Sequence, residues 1–436
     1  MASHPEVVIL GAGLAGMTAA YHLRDRDVVV IESRDRVGGR TLSGEHDSYW
    51  YNSGAQFVWD ARTVALCSEL GLDVLGGEGA LSAVFVNGRL AVAPDANRLF
   101  MKMPVPWVEK ARFGLTITRL RRIASRMHGL DAELDAKSLA EVIGPTSVIT
   151  RDILEMATTS GTGLSTHEVS GAIGLGYAIH LFGGDVNSTL KAVRGGTQQI
   201  SKTIAEAIDP ERLMLECKVE SVTASGGGVR VRYRHGEAEP EEVEAAICIS
   251  AMTADAVLEA MPDLPEAKRE ALRNVLPYAP VVTVAWLTDE AGPMPWDQLL
   301  AVPAIGLSFE LLSNNAFFLR RDSTARRKGG SLVTLATGPR AEALVALTDE
   351  AIVARVRGDL LKMFPSERDV LERAITRVER WRGLPRFGKG WLGRQQVLRE
   401  PFGSVHFCGD YTAQPGTPGA VGSGYHAAKT VRALLG

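Results

Sequence analysis

The sequence predicts an α/β fold with length enough for two domains. Three observations predict it. A strand, a glycine turn, a helix and a second strand follow one another within residues 6–41. Apolar runs of strand length recur much later, at Ala245–Ser250 and Val405–Cys408, with long unlike passages between them. The chain, at 436 residues, is long enough for two cores.

The opening stretch carries the most chemistry. Val7–Leu10 is short, apolar and β-branched, as a buried strand is. Gly11, Gly13 and Gly16 follow in G-x-G-x-x-G spacing. A helical stretch runs from Leu14 to about Arg24, and a second strand, Val28–Ile31, ends at Glu32. This is the setting a Rossmann-like dinucleotide site requires. Gly11 permits the turn, Gly13 lets the backbone approach a pyrophosphate, and Gly16 lets helix and strand pack closely. Leu14 and Ala15 open the helix, whose free N–H groups attract phosphate. Glu32 stands 21 residues after Gly11, where it can accept hydrogen bonds from ribose hydroxyls, with Ser33 and Arg34 beside it. Its carboxylate would repel a ribose 2′-phosphate, which disfavours NADP. The glycines alone leave FAD and NAD open.

The residues after Glu32 decide between them. Arg36, Gly38, Gly39 and Arg40 complete the pattern E-x-x-x-R-x-G-G-R. It resembles the flavin amine oxidase superfamily, which includes monoamine and polyamine oxidases, L-amino acid oxidases, protoporphyrinogen oxidases and carotenoid desaturases. The resemblance implies an FAD-binding fold of the glutathione-reductase type with an interleaved, mixed α+β substrate domain. Gly39 then gives a second close backbone approach, and Arg40 a planar fork for phosphate.

Composition excludes several classes. Charged residues balance to a net −3, which argues against nucleic acid as a partner. Cys67, Cys217, Cys248 and Cys408 form no C-x-x-C pair, so free thiols in a reducing, cytoplasmic setting are expected, with no metal site. The first strand begins too early for a secretory signal peptide, and no apolar run approaches a spanning helix.

Along the chain, Tyr49–Tyr51 reads as a strand and Gly54-Ala55-Gln56-Phe57 resembles the family segment that passes beside the flavin. Ala61–Leu70 reads as a helix and Leu81–Val92 as a hairpin around Asn87-Gly88. The resemblance places the crossing into the substrate domain here, dividing the chain at 1–80, 81–194, 195–275, 276–380 and 381–436. Glu109–Met127 is a basic amphipathic helix with Phe113, Ile117, Leu120, Ala124 and Met127 on one face. A solvated substrate-domain helix is the favoured reading and peripheral membrane contact the alternative. Tyr177 and His180 stand out in an apolar, glycine-rich passage and are pocket candidates, though a lone histidine there is more often a satisfied core residue. Gly195-Gly196 resembles the point of re-entry into the FAD domain, followed by a helix over Gln198–Ile208. Strands are expected at Leu213–Val222 and Val229–Arg234, and Val219 matches the family valine whose backbone meets the adenine.

The last third returns to the substrate domain near Pro277. Val281–Leu287 alternates as a strand does. Many amine oxidases carry a lysine on this strand, and Thr283 stands in its place. That departure weakens the case for the usual oxygen chemistry and favours dehydrogenase relatives. Arg320–Gly330 reads as a basic loop in which Arg326 can meet an acidic substrate group, and Leu344–Phe364 as one helix. The run Trp381 to Phe387 resembles a motif of protoporphyrinogen oxidases and desaturases, and lacks the cysteine that anchors covalent FAD, so FAD is expected to bind non-covalently. After the Val405–Cys408 strand, Gly409 and Asp410, then Thr417 to Ala420, resemble the C-terminal flavin motif. Asp410 is assigned to a ribityl hydroxyl and the Thr417–Ala420 N–H groups to the flavin edge where charge develops. Gly416 replaces an aromatic wall of the monoamine oxidase cage. The expected activity is hydride transfer to FAD from a C–H beside nitrogen of a larger amine or amide, with no single acid or base required. The alternatives are a C–C dehydrogenase or desaturase, a protoporphyrinogen-oxidase-like enzyme, or a flavin carrier without catalysis. Oligomeric state is left open.

Overall fold

The computed structural model describes residues 4–127, 131–182, 186–225, 227–321 and 327–436. The fold is mixed α/β, with a Rossmann-like parallel sheet and a separate antiparallel sheet that carries the substrate domain. Five parallel strands stand side by side in the order Val405–Phe407, Ile247–Ser250, Val7–Leu10, Val28–Ile31 and Leu213–Met214. Residues alternate between the two faces of this sheet, as strand geometry demands. Val7, Ile9, Val28 and Val30 pack with the helices Leu14–His22, Gln199–Glu206 and Thr417–Leu435. Val8, Leu10 and Ile31 pack on the opposite side with a three-stranded meander, Cys217–Ser225, Gly228–His235 and Glu241–Ala245. Both faces are covered, which is why these short strands read as unbroken apolar runs.

The antiparallel sheet orders its strands as Ala301–Pro303, Leu311–Asn314, Gly330–Thr337, Ala279–Thr288 and Ile375–Leu384. Val282, Val284 and Trp286 face a core shared with the helices Gly338–Val345 and Asp349–Met363. The alternate residues face the Tyr49–Asn52 strand and the turn after it. A helical layer, Trp107–Ala124, Val148–Thr162 and Gly171–Phe182, completes the substrate side.

Three expectations need correction. Leu213–Val222 is two strands in different sheets, because Glu216 adopts φ 57° and turns the chain between them. Ala245 ends a strand, Glu241–Ala245, that the sequence reading omitted, and the buried parallel strand starts at Ile247. Leu344–Phe364 is broken after Val345, and Thr348 caps the second helix by accepting from the Ala351 N–H.

Candidate active site

The glycine turn is shaped by contact and by vacancy. Gly11, at φ 101°, donates its N–H to the Ile31 carbonyl at 2.7 Å, tying the turn to the next strand. A Cβ on Gly16 would lie 1.9 Å from the Gly11 carbonyl oxygen, so the helix can sit this close only with glycine there. A Cβ on Gly13 would meet nothing within 4 Å. That open side adjoins the start of the Leu14–His22 helix, which has no side-chain cap and no acid in its first turn. Leu14, Ala15 and Gly16 therefore keep the N–H groups and partial positive charge that an anion needs. Gly39 closes the other side, its Cβ direction 3.2 Å from the Gly13 Cα.

Glu32 is buried and pre-oriented. Its Oε2 accepts from the Ala12 N–H at 2.7 Å, and its Oε1 from the Arg34 N–H at 2.9 Å and the Ser33 hydroxyl at 3.3 Å. The Cys217 N–H donates to the Glu32 carbonyl at 2.8 Å, which brings the strand bearing Val219 alongside. Glu32, Ser33, Arg34 and Val219 are thus gathered at one end of the parallel sheet.

Arg40 and Asp410 join distant parts of the chain. Arg40 Nη2 donates to Asp410 Oδ1 at 2.8 Å, and Nη1 donates to the Gly383 carbonyl at 2.8 Å. Burial alone would lower the guanidinium pKa, but Asp410 outweighs it and holds the value above its ordinary level. Asp410 also accepts from the Tyr411 N–H at 3.0 Å, and the Gly409 N–H donates to Ser423 Oγ at 2.9 Å.

The segment Gly54–Phe57 is fixed from two directions. Asn52 Oδ1 accepts from the Thr197 N–H at 3.0 Å and from Ser43 Oγ at 2.7 Å. From the antiparallel sheet, Thr283 Oγ1 and Trp381 Nε1 each donate to the Ser53 carbonyl at 2.8 Å. Ser313 Oγ donates to Gln56 Oε1 at 2.7 Å, and Ser331 Oγ donates to the Trp50 carbonyl at 2.8 Å. Thr283 therefore has an anchoring role that a lysine could not fill in the same way. Gly54 and Ala55 lie close against Arg40, and a Cβ on Gly54 would come within 2.0 Å of its carbonyl oxygen.

At the C-terminal helix, Thr417 is buried and its hydroxyl has no hydrogen-bond partner among the described residues. The helix start has no side-chain cap. One assignment changes: the Ala420 N–H donates to the Gly416 carbonyl at 3.1 Å, closing the first helical turn, and is unavailable to a flavin. Pro418 has no N–H, so Thr417 and Gly419 carry the free donors. An orphaned buried hydroxyl, two uncapped helix starts and the open side of Gly13 fit an FAD lying between them.

Beside Gly416 stands an aromatic residue that the sequence reading passed over. A Cβ on Gly416 would lie 3.5 Å from the Trp59 ring. Trp59 and His180 have ring centroids 6.2 Å apart. His180 Nε2 is buried without a partner among the described residues, so the satisfied-core reading of this histidine fails. Burial lowers its pKa, keeping the imidazole neutral at pH 7. Tyr177, one helical turn away, packs its ring on Gly161, and burial followed by the Asp410 charge raises its pKa. Arg326 lies outside the described residues. The signal for Trp59 was its spacing: it follows Phe57 by two residues in an extended segment.

The family model for flavin containing amine oxidoreductases matches residues 14–432. The chain belongs to this family. Flavin containing amine oxidoreductases carry out FAD-dependent hydride transfer, and the chain is an oxidoreductase of that kind. It is 27% identical over 476 residues to AofH of Mycobacterium tuberculosis, which is named as a flavin-containing monoamine oxidase; the match covers 99% of this chain and 97% of that one. Its fold matches a putrescine oxidase bound to putrescine with TM-score 0.81 at 23% identity, covering 99% of both chains. A cyclohexylamine oxidase from Brevibacterium oxydans matches with TM-score 0.80 at 22% identity, again over 99% of both.

Proposed function

We propose that this enzyme oxidises an amine, removing hydride from the C–H beside nitrogen. The observation that carries the reading is the Trp59–His180 pair set against Gly416, next to the uncapped helix start at Thr417. When bound, FAD supplies an electrophilic N5 that accepts a hydride. Glu32, Gly13, Gly39, Arg40 and Asp410 hold the adenosine, pyrophosphate and ribityl parts, and Thr417 and Gly419 donate to the ring edge that gains charge. Trp59 supplies an apolar wall in place of the aromatic residue that Gly416 replaces, and so orients the substrate and keeps water out. Neutral His180 accepts a hydrogen bond from the N–H of an amine that arrives unprotonated, and so orients the substrate nitrogen. Tyr177 bounds the same pocket from the Gly171–Phe182 helix.

FAD binds non-covalently in this reading. Cys408, the cysteine nearest the C-terminal flavin motif, is fully buried, and burial pushes its thiol up to about 12. All four thiols are free and buried, which suits a reducing compartment such as the cytoplasm. Among the described residues no helix is long and apolar enough to cross a membrane. We assign residues 1–80, 195–275 and 385–436 to the FAD domain, because each contributes a strand to the parallel sheet, and 81–194 and 276–384 to the substrate domain; the boundary expected at 380 moves because the Ile375–Leu384 strand lies in the antiparallel sheet.

The dehydrogenase-like alternative rests on Thr283 and on the motif beginning at Trp381. Both side chains donate to one carbonyl, that of Ser53, which accounts for them as scaffold. The test is turnover with aliphatic and alicyclic amines, with a dye as electron acceptor and mass spectrometry of the products. A carbonyl or cyclic imine derived from the amine is expected. Turnover of porphyrinogens or polyenes, with no amine consumed, would overturn the reading.

A further inference from the structure

The Trp107–Ala124 helix hides one face and displays the other in an unusual way. Phe113, Ile117 and Leu120 are buried against the core. On the outer side Trp107 is 65% exposed, Val108 56% and Leu115 73%, and Met101 on the preceding helix is 53% exposed. These are four of the ten large apolar side chains that stand exposed among the described residues. The Trp107 ring is held in place: the Lys110 ammonium lies 4.7 Å from its centroid and donates to the Met101 carbonyl.

Charge on this face is one-sided. Residues 101–126 contain seven lysines and arginines against one acid, Glu109, in a chain whose net charge is −3. The outer stripe runs Val108, Arg112, Leu115, Arg119, Arg122 at steps of four, three, four and three, so apolar and cationic groups share a single line. Arg119 is committed to the protein, donating to the Val142 and Ile143 carbonyls, and Arg112 pairs with Glu109 at 2.9 Å. Arg122 and Arg126 extend the line as exposed cations.

We propose that this face docks on an anionic lipid surface, with Trp107, Val108 and Leu115 entering the headgroup layer and the arginines meeting lipid phosphates. Both halves of the chemistry are needed. A polyanion such as nucleic acid would use the arginines and leave the apolar residues in water. A second copy apposed through this face would bring two cationic helices together. A bilayer interface takes up the apolar side chains and pairs the cations.

The holoenzyme is floated with vesicles of phosphatidylcholine alone and of phosphatidylcholine with phosphatidylglycerol. Binding is expected to the anionic vesicles only and to fall as salt rises. The pair Trp107→Ala with Leu115→Ala, and separately Arg122→Glu with Arg126→Glu, are each expected to reduce binding by about tenfold or more. Flavin content and turnover in solution stay unchanged in both, which shows that the variants fold. The proposal is overturned by no binding to anionic vesicles, by equal binding of wild type and variants, or by a concentration-dependent dimer that the same substitutions abolish.

Discussion

The parallel sheet and the antiparallel sheet approach the proposed flavin with different materials. On the parallel side the backbone does most of the work: the Gly11–Gly16 turn, the bare start of the Leu14–His22 helix and the Gly13–Gly39 contact leave little for side chains beyond Glu32 and Arg40. On the antiparallel side, side chains do it. Thr283, Ser313, Ser331 and Trp381 pin the 50–56 segment, and Trp59 and His180 stand over the gap at Gly416. Backbone recognition tolerates almost no change at its glycines. Side-chain recognition can trade one residue for another in space, as proposed for Trp59 and Gly416. The proposed reading therefore ties cofactor binding to the backbone elements and substrate selection to the Trp59 and His180 side chains.

Substitutions can break that comparison at several strengths. The largest effect is expected at Gly16→Ala, whose methyl would collide with the Gly11 carbonyl oxygen at 1.9 Å. Backbone cannot yield as a side chain can, and a cost of about 3 kcal/mol is expected. The purified protein should be colourless, read by its flavin absorbance, and less stable to heat. Next comes Glu32→Gln, which removes the charge that accepts from the Ala12 and Arg34 N–H groups. FAD affinity should fall about thirtyfold, or about 2 kcal/mol, in titrations of deflavinated protein.

Trp59→Ala sharpens the contrast from the other side. It should raise KM about tenfold while FAD affinity stays at the wild-type value. If flavin binding fell with it, Trp59 would belong to the cofactor and that division of roles would fail. Thr283→Val removes one of the two donors to the Ser53 carbonyl. A loss of about 1 kcal/mol is expected, seen as a fall of about 1 °C in Tm with flavin retained.

The smallest effect is on pH dependence. Burial holds the His180 pKa below its ordinary 6.5, so the unfolded chain takes up this proton first as pH falls. In the window between 6.5 and the lower folded value, the unfolded state binds more protons and stability declines. His180→Phe should flatten that acid limb slightly in thermal melts recorded across the window.

Legibility followed the same division. The strands Val7–Leu10 and Val28–Ile31, and the helix between them, were plain from apolar runs punctuated by glycine. The Asn87-Gly88 turn was equally plain, since both residues take positive φ. What stayed hidden depended on neighbours distant in sequence. Nothing local marks Thr283 and Trp381 as partners of one carbonyl in a turn more than 200 residues earlier. Glu216 split a strand through a backbone angle that residue type does not announce. The Ala420 N–H closes a helical turn on Gly416, because helix counting, rather than motif position, decides which donors stay free. Gly416 reads in the sequence as a missing ring, and its neighbour Trp59 is apparent only where the two segments meet.

The most direct test of the account is anaerobic rapid mixing of the holoenzyme with a panel of amines, following the absorbance of oxidised flavin. The account predicts bleaching by at least one amine, at a rate that saturates with amine concentration, and a half-saturation that shifts about tenfold in Trp59→Ala. Bleaching by porphyrinogens or polyenes alone, or no bleaching by any donor, would contradict it.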